Sequence, residues 1–231
     1  RQLPRRGSNA TGTQDQTTLN SSDIIDGGAG SDALIVNLNG NYGGGARIKN
    51  IETLQIGTNQ PAVAFDYNVN AGSNEVTGVN TVKYDQITAG ETLNVNNITP
   101  SATGTTVPTL HWANEAGSVA GTAGATYRQA SIAGTADNQN VILENVTAGD
   151  LNIARGIETI TVTSSGTVAA NTLTSVDAAD GTAVDLVSEN QGGNDVNDDS
   201  TLTKVIAKGE KALGVAATVN TNDVAGEAGY G

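Results

Sequence analysis

From Ser21 onward the apolar residues of this chain come in short runs separated by Gly, Asn and Asp, at 33–38, 51–56, 81–84, 92–98, 140–143, 157–163, 182–187 and 202–207. Each run has strand length, and several alternate apolar with polar residues. No convincing helix competes with them. The nearest candidate, 203–215, is interrupted by Gly209 and Gly214, which weaken a helix interior. Val, Ile and Ala dominate the aliphatic residues, and the polar remainder is mostly Thr, Asn, Ser and Gly, with 29 glycines. That is the composition of strands and turns, so the expected fold is all-β. Aromatic residues make up only 3% of the 231 positions. The core is therefore expected to be thin and built from small β-branched side chains, which suits layered sheets or a solenoid. The residues by themselves leave two arrangements open, an irregular parallel β-solenoid or β-roll with short sheets and a β-sandwich.

The pattern divides the chain into four parts. Residues 1–20 lack apolar periodicity and read as a flexible N-terminal segment outside the core. Residues 21–100 and 140–231 read as two related β units, because Ile51-Glu52-Thr53 and Ile157-Glu158-Thr159 each precede alternating aliphatic residues. In both copies the isoleucine is expected in the core and the glutamate outward. Between the units, 101–139 is rich in Gly, Thr, Ala and Pro and reads as an insertion.

Charge narrows the function classes. The chain holds 24 acidic and 11 basic residues, a net charge of -13. A field of that sign repels nucleic acid and anionic lipid and favours bound cations. There is no Cys, hence no disulfide and no thiolate metal site, and no run of the ~20 apolar residues a membrane helix needs. The lack of Met, even at position 1, and of a hydrophobic leader is what a mature or internal piece of a longer secreted protein would show.

One motif carries specific chemistry. Gly27-Gly28-Ala29-Gly30-Ser31-Asp32-Ala33-Leu34-Ile35 matches the nonapeptide G-G-x-G-x-D-x-U-x, with U a large aliphatic, at every specified position. Glycines permit a tight turn that directs carbonyl oxygens to one centre, Asp32 adds a carboxylate, and Leu34 plugs the turn into the core. Nine residues earlier a degraded copy puts Asp23 in register with Asp32 and Ile25 with Leu34, while Asn41 and Gly43 end the register after it. Asp23, Asp26 and Asp32, with the carbonyls of Gly28 and Gly30, are the candidate Ca²⁺ ligands, and a long calcium-stacked roll is not expected. A second acidic stretch, Asp177, Asp180 and Asp185 followed by Asp195, Asn197, Asp198 and Asp199, reads equally as a solvated loop or as a further calcium site through Asp177, Asp180, Asp195 and Asp198.

The nonapeptide resembles the RTX class of secreted calcium-binding repeats, and IIDGGAGSDALIV followed by NIETLQI resembles RTX-type bacterial surface-layer proteins. The resemblance is specific over 23–56 and weaker beyond. It implies a solenoid rather than a sandwich, export to the cell surface without a cleaved N-terminal signal, calcium dependence, and self-assembly into a homo-oligomeric lattice on the cell, with cell-surface polysaccharide as a further partner.

An enzyme is not expected. His111 is the only histidine, so the two-histidine HExxH zinc site cannot form, and no GxSxG elbow accompanies it. His111 reads instead as a half-buried strand residue. The rival readings are an RTX-type adhesin segment, with Trp112 and Tyr127 of the 101–139 stretch in its ligand loop, and a non-catalytic region of a larger secreted RTX protein.

Overall fold

The computed structural model describes residues 2–5, 7–8, 15–16, 19–67, 76–99, 107–128, 132, 136–154, 156–179 and 204–215. Within them the chain is an irregular parallel β-solenoid with no helix. One sheet has eight strands, in the order β1 (Gln2–Arg5), β5 (Ala33–Leu38), β7 (Thr53–Thr58), β9 (Thr81–Asp85), β11 (Thr109–Ala113), β13 (Asn138–Glu144), β15 (Thr159–Ser165) and β17 (Lys204–Gly209). The other has six: β8 (Val63–Asp66), β10 (Thr92–Ile98), β12 (Thr122–Tyr127), β14 (Gly149–Ala154), β16 (Ala170–Ala179) and β18 (Ala212–Val215). From β7 to β18 the chain visits the two sheets alternately, so each pair of strands is one coil. A third face exists at the N-terminal end, where β4 (Ile24–Asp26) pairs with β6 (Arg47–Lys49) and Ile48 bridges to Val76. A short antiparallel pair, β2 (Gly7–Ser8) with β3 (Asp15–Gln16), lies before it.

Alternation explains the core. In the eight-stranded sheet Leu34, Leu54, Val82, Leu110, Val141 and Val162 lie side by side in successive coils, all buried. Two residues on, the column reads Val36, Ile56, Tyr84, Trp112 and Leu143, buried likewise. The sequence reading expected no large rings inside, and here it needs correcting. All six aromatics among the described residues, Tyr42, Phe65, Tyr67, Tyr84, Trp112 and Tyr127, are buried. Room for Tyr84 and Trp112 comes from small residues in the six-stranded sheet. Ala123 and Ala125 occupy the inward positions of β12, and the Tyr84 hydroxyl donates to the Gly124 carbonyl at 2.7 Å. A Cβ on Gly149 would stand only 2.4 Å from the Trp112 ring.

The two Ile-Glu-Thr copies have the same local geometry. Ile51 and Ile157 are fully buried, as expected. The glutamates do not simply face outward: each is half-buried and clamps the preceding coil. Glu52 Oε2 accepts the Asp32 amide at 2.7 Å, and Glu158 Oε2 accepts the Asp137 amide at 2.6 Å. In return the Asp32 carbonyl accepts the amides of Glu52 and Thr53, and the Asp137 carbonyl those of Glu158 and Thr159. The copies nonetheless sit on different rungs. Leu54 shares its column with Val162, whereas the matching residue of the second copy is Ile160. The change occurs at β13, which starts two residues earlier than β11 and so places Gln139 in the core. Its amide is fully engaged, with Tyr127 Oη donating to Oε1 at 2.6 Å and Nε2 donating to the carbonyls of Pro108 and Asn140.

Two boundaries shift. The 101–139 stretch is part of the stack rather than an insertion into it, because β11 and β12 are full rungs paired on both sides. Within residues 1–20, expected outside the core, β1 pairs with β5 and Leu19 is buried. The candidate helix at 203–215 is instead β17 and β18, with Gly209 at positive φ between them. Ile157→Ala should cost about 2–5 kcal/mol by urea titration, and Gly149→Ala about 1–3 kcal/mol through its clash with Trp112.

Candidate metal centre at the glycine turn

The nonapeptide connects β4 on the third face to β5 in the eight-stranded sheet. Gly28 and Gly30 have φ of 87° and 125°, conformations that L side chains rarely adopt, and both are exposed. Gly27 is required for a different reason. A Cβ there would meet the Asn50 carbonyl of the next coil at 1.9 Å, and its amide donates to the Lys49 carbonyl at 3.1 Å. The turn is thus pressed directly against the coil that follows it.

The Asp23 and Asp26 carboxylates of the turn have protein partners. Asp23 Oδ2 accepts the Asn20 amide at 3.1 Å. Asp26 Oδ1 accepts from Asn50 Nδ2 at 2.7 Å and from the Gly28 amide at 3.1 Å, while Oδ2 is paired with Lys49 Nζ at 2.9 Å. Lys49, followed by Asn50, holds the Asp26 carboxyl below its ordinary pKa. Asp32 is only 4% exposed, set beneath Glu52. Among the described residues no three Asp, Glu, His or Cys side chains gather into a metal-holding group. The groups of this turn that could hold a cation are the exposed Asp26 carboxylate, which is paired with Lys49, and the exposed main chain of Gly28 and Gly30.

Of the second acidic stretch, Asp177 lies on β16, its backbone beside Asn152 of β14. Asp180, Asp185, Asp195, Asn197, Asp198 and Asp199 lie outside the described residues. The clamping glutamates were missed as bridging residues. Their signal was present in the spacing, since an aspartate stands 20 residues before Glu52 and 21 before Glu158.

His111 is half-buried on the outer face of β11, as expected. Its Nε2 lies 3.0 Å from Glu144 Oε2 of the next coil, beside Lys83 of the previous one. Trp112 and Tyr127, the aromatics of the proposed ligand loop, are 1% and 8% exposed and belong to the core. Comparison with protein-family models, curated proteins and solved structures finds no match.

The histidine makes a pH dependence testable. Burial pushes its pKa below the ordinary value and Lys83 adds to this, against the opposing pull of the Glu144 and Asp85 carboxylates. The folded state therefore favours neutral His111. Its contribution is present above the unfolded value of about 6.5 and is lost as pH falls through the lower folded value. Thermal melts at pH 8 and pH 5 should show a loss on acidification that is smaller in His111→Gln. Equal losses in the two proteins would remove His111 from the account.

Proposed function

We propose that this chain is a structural segment of a secreted bacterial surface-layer protein of RTX type. It assembles with copies of itself into a lattice on the cell surface, with Ca²⁺ as cofactor and no catalytic role. The observation that carries the reading is the uninterrupted stack itself. Every described aromatic is spent on packing and the only histidine is committed to a neighbouring coil, which leaves broad outer faces of Thr, Asn, Gln and Gly. Such a surface suits wide, weak, repeated contacts between copies and with hydrated cell-surface polysaccharide. The adhesin reading loses its candidate ligand loop, because Trp112 and Tyr127 lie in the core. A non-catalytic region of a larger RTX protein shares the same chemistry and differs only in what adjoins it. No helix among the described residues is long and apolar enough to cross a membrane.

Calcium enters this reading through the glycine turn. The acidic excess repels itself, and a divalent ion between coils offsets two charges where Lys49 offsets one. Ca²⁺ accepts a loose shell of main-chain and carboxylate oxygens, whereas Mg²⁺ demands a smaller octahedron and keeps its waters. An ion that binds only the folded chain stabilises it by about 4.1 kcal/mol at a thousandfold excess over its dissociation constant. Chelator should therefore lower the melting temperature and dissolve sheets seen by electron microscopy, and Mg²⁺ should rescue poorly. In calorimetry, Asp26→Ala should lose a calcium site and Lys49→Ala should bind calcium more tightly. Melting and sheet formation that are identical in chelator and in millimolar calcium would refute the calcium part. Wild-type stoichiometry in Asp26→Ala would move the site elsewhere.

A further inference from the structure

We propose that Asn39 is a self-modifying site, at which the folded chain converts its own side-chain amide to a carboxylate without an enzyme. Among the 231 residues, Asn39-Gly40 is the one asparagine followed by glycine. In such a pair the main-chain nitrogen of the second residue can close a five-membered ring onto the side-chain carbonyl carbon of the first. Glycine, with no Cβ, leaves that nitrogen open, whereas every other asparagine precedes a residue whose Cβ crowds the approach.

The fold sets this pair where the ladder lapses. Leu38, the last residue of β5, pairs with Thr58. The chain next meets its neighbour at Asn41, whose Oδ1 accepts the Ala64 amide at 2.9 Å, and at Tyr42, which exchanges main-chain hydrogen bonds with Ala64 and Asp66. Asn39 and Gly40 form the bend between them. Gly40 is exposed, a Cβ built on it would have no atom within 4 Å, and its amide makes no hydrogen bond among the described residues. The attacking nitrogen is thus neither tied nor shielded. At Asp26-Gly27 the same ring closure is opposed, because the Gly27 amide donates to the Lys49 carbonyl and the Asn50 carbonyl blocks its flank.

The electrophile is prepared from the next coil. Gln60 Nε2 donates to Asn39 Oδ1 at 2.8 Å and to Asn59 Oδ1 at 2.8 Å, and the second bond holds it in place. As the Gly40 nitrogen adds to Asn39 Cγ, negative charge builds on Oδ1, and a donor already aimed there stabilises it. The nitrogen gives its proton to water or hydroxide as the N–Cγ bond forms. The Cγ–Nδ2 bond then breaks, and Nδ2 takes a proton from water and leaves as ammonia. Water opens the cyclic imide at either carbonyl. Attack at the side-chain carbon leaves aspartate on the ordinary main chain; attack at the main-chain carbon leaves isoaspartate, with the chain one carbon longer. Water is the only co-reactant, and the step needs neither calcium nor a second copy. Each product adds one negative charge to a chain at -13. Because the bend lies outside the ladder, the pairing on both sides persists and the change accumulates in the native protein.

The test is peptide mapping by mass spectrometry after the folded full chain is incubated in heavy-oxygen water at pH 8 and digested in ordinary water. Residue 39 should take up heavy oxygen before any other asparagine among the described residues, as two peptides of equal mass that elute apart. Gly40→Ala should slow conversion at least about tenfold by crowding the nitrogen. Gln60→Met, similar in shape but without the donor, should slow it by roughly tenfold, less than the ~10²–10³ of an enclosed oxyanion hole because this corner is open to water. Both variants should keep the wild-type melting temperature. A wild-type chain in which residue 39 stays an amide while other asparagines convert would overturn the site, and Gln60→Met converting at the wild-type rate would overturn the part played by Gln60. If Gln60→Met melts early, Gly40→Ala decides: conversion there at the wild-type rate overturns the ring closure.

Discussion

The parallel ladder of main-chain hydrogen bonds between coils is the interaction on which the other features depend. It fixes the direction of every strand in both large sheets and forces residues of the same facing into columns. It also makes coil length a free variable. Along the column Leu34, Leu54, Val82, Leu110, Val141, Val162 and Ala207 the spacing is 20, 28, 28, 31, 21 and 45 residues. Such variation is tolerable because extra residues leave the stack as loops, and loop closure grows costly only slowly with length. The two shortest coils are those with an Asp-to-Glu clamp, in which one side chain replaces the reach of a longer connection.

A ladder alone does not choose side chains; the narrow space between the sheets does. In the middle of the stack large groups of the eight-stranded sheet, Tyr84 next to Trp112, meet small ones of the other, Ala123, Gly124 and Ala125 in β12 and Gly149 at the start of β14, while Phe65 of β8 and Tyr127 of β12 put rings on the six-stranded sheet too. A uniform pairing of medium side chains would fill the same volume. The observed pairing instead helps to specify which coil lies opposite which, because the Trp112 ring leaves no room for a Cβ at Gly149. The buried Tyr84 and Tyr127 hydroxyls are satisfied by the Gly124 carbonyl and by Gln139, and burial pushes both phenol pKa values up.

This division explains what the sequence disclosed. β5, β7, β9, β13 and β15 stood out as aliphatic runs because their buried positions alternate and hold Leu, Ile or Val, with Tyr84 in β9. Of the six-stranded sheet only β10 was visible. β12, TAGATY, and β14, GDLNIA, have much of the composition of turns, because Ala123, Gly124 and Ala125 fill most inward space of β12 and Gly149 makes room for Trp112 at the start of β14. Propensity therefore read half of a two-sheet structure as connection and turned the coil at 101–139 into an insertion. The thin-core expectation failed for the same reason: few aromatics meant that all of the described ones were needed inside. At the glycine turn the sequence was more explicit. Gly27, Gly28 and Gly30 are each required by a close approach or a positive φ, and Leu34 is the buried plug. What spacing did not convey was the company of Asp26, because Lys49 and Asn50 arrive from the following coil.

That company sets the terms on which a cation would act. Asp26 is the point where two coils meet through charge, and Lys49 and Asn50 reach it from the later coil, so the same carboxylate links the turn to its neighbour in the absence of metal. An exposed ion pair of this kind stabilises by at most about 1 kcal/mol and weakens in salt. A divalent ion in its place has twice the charge and can draw main-chain oxygens into one shell, so the exchange strengthens the link between coils without altering the ladder. Asp32 would respond differently, being buried under Glu52 with its main chain already tied to the later coil on both the donor and the acceptor side. Its replacement would disturb the ladder itself. Metal dependence and coil stacking are therefore separable at Asp26 and Lys49, and entangled at Asp32.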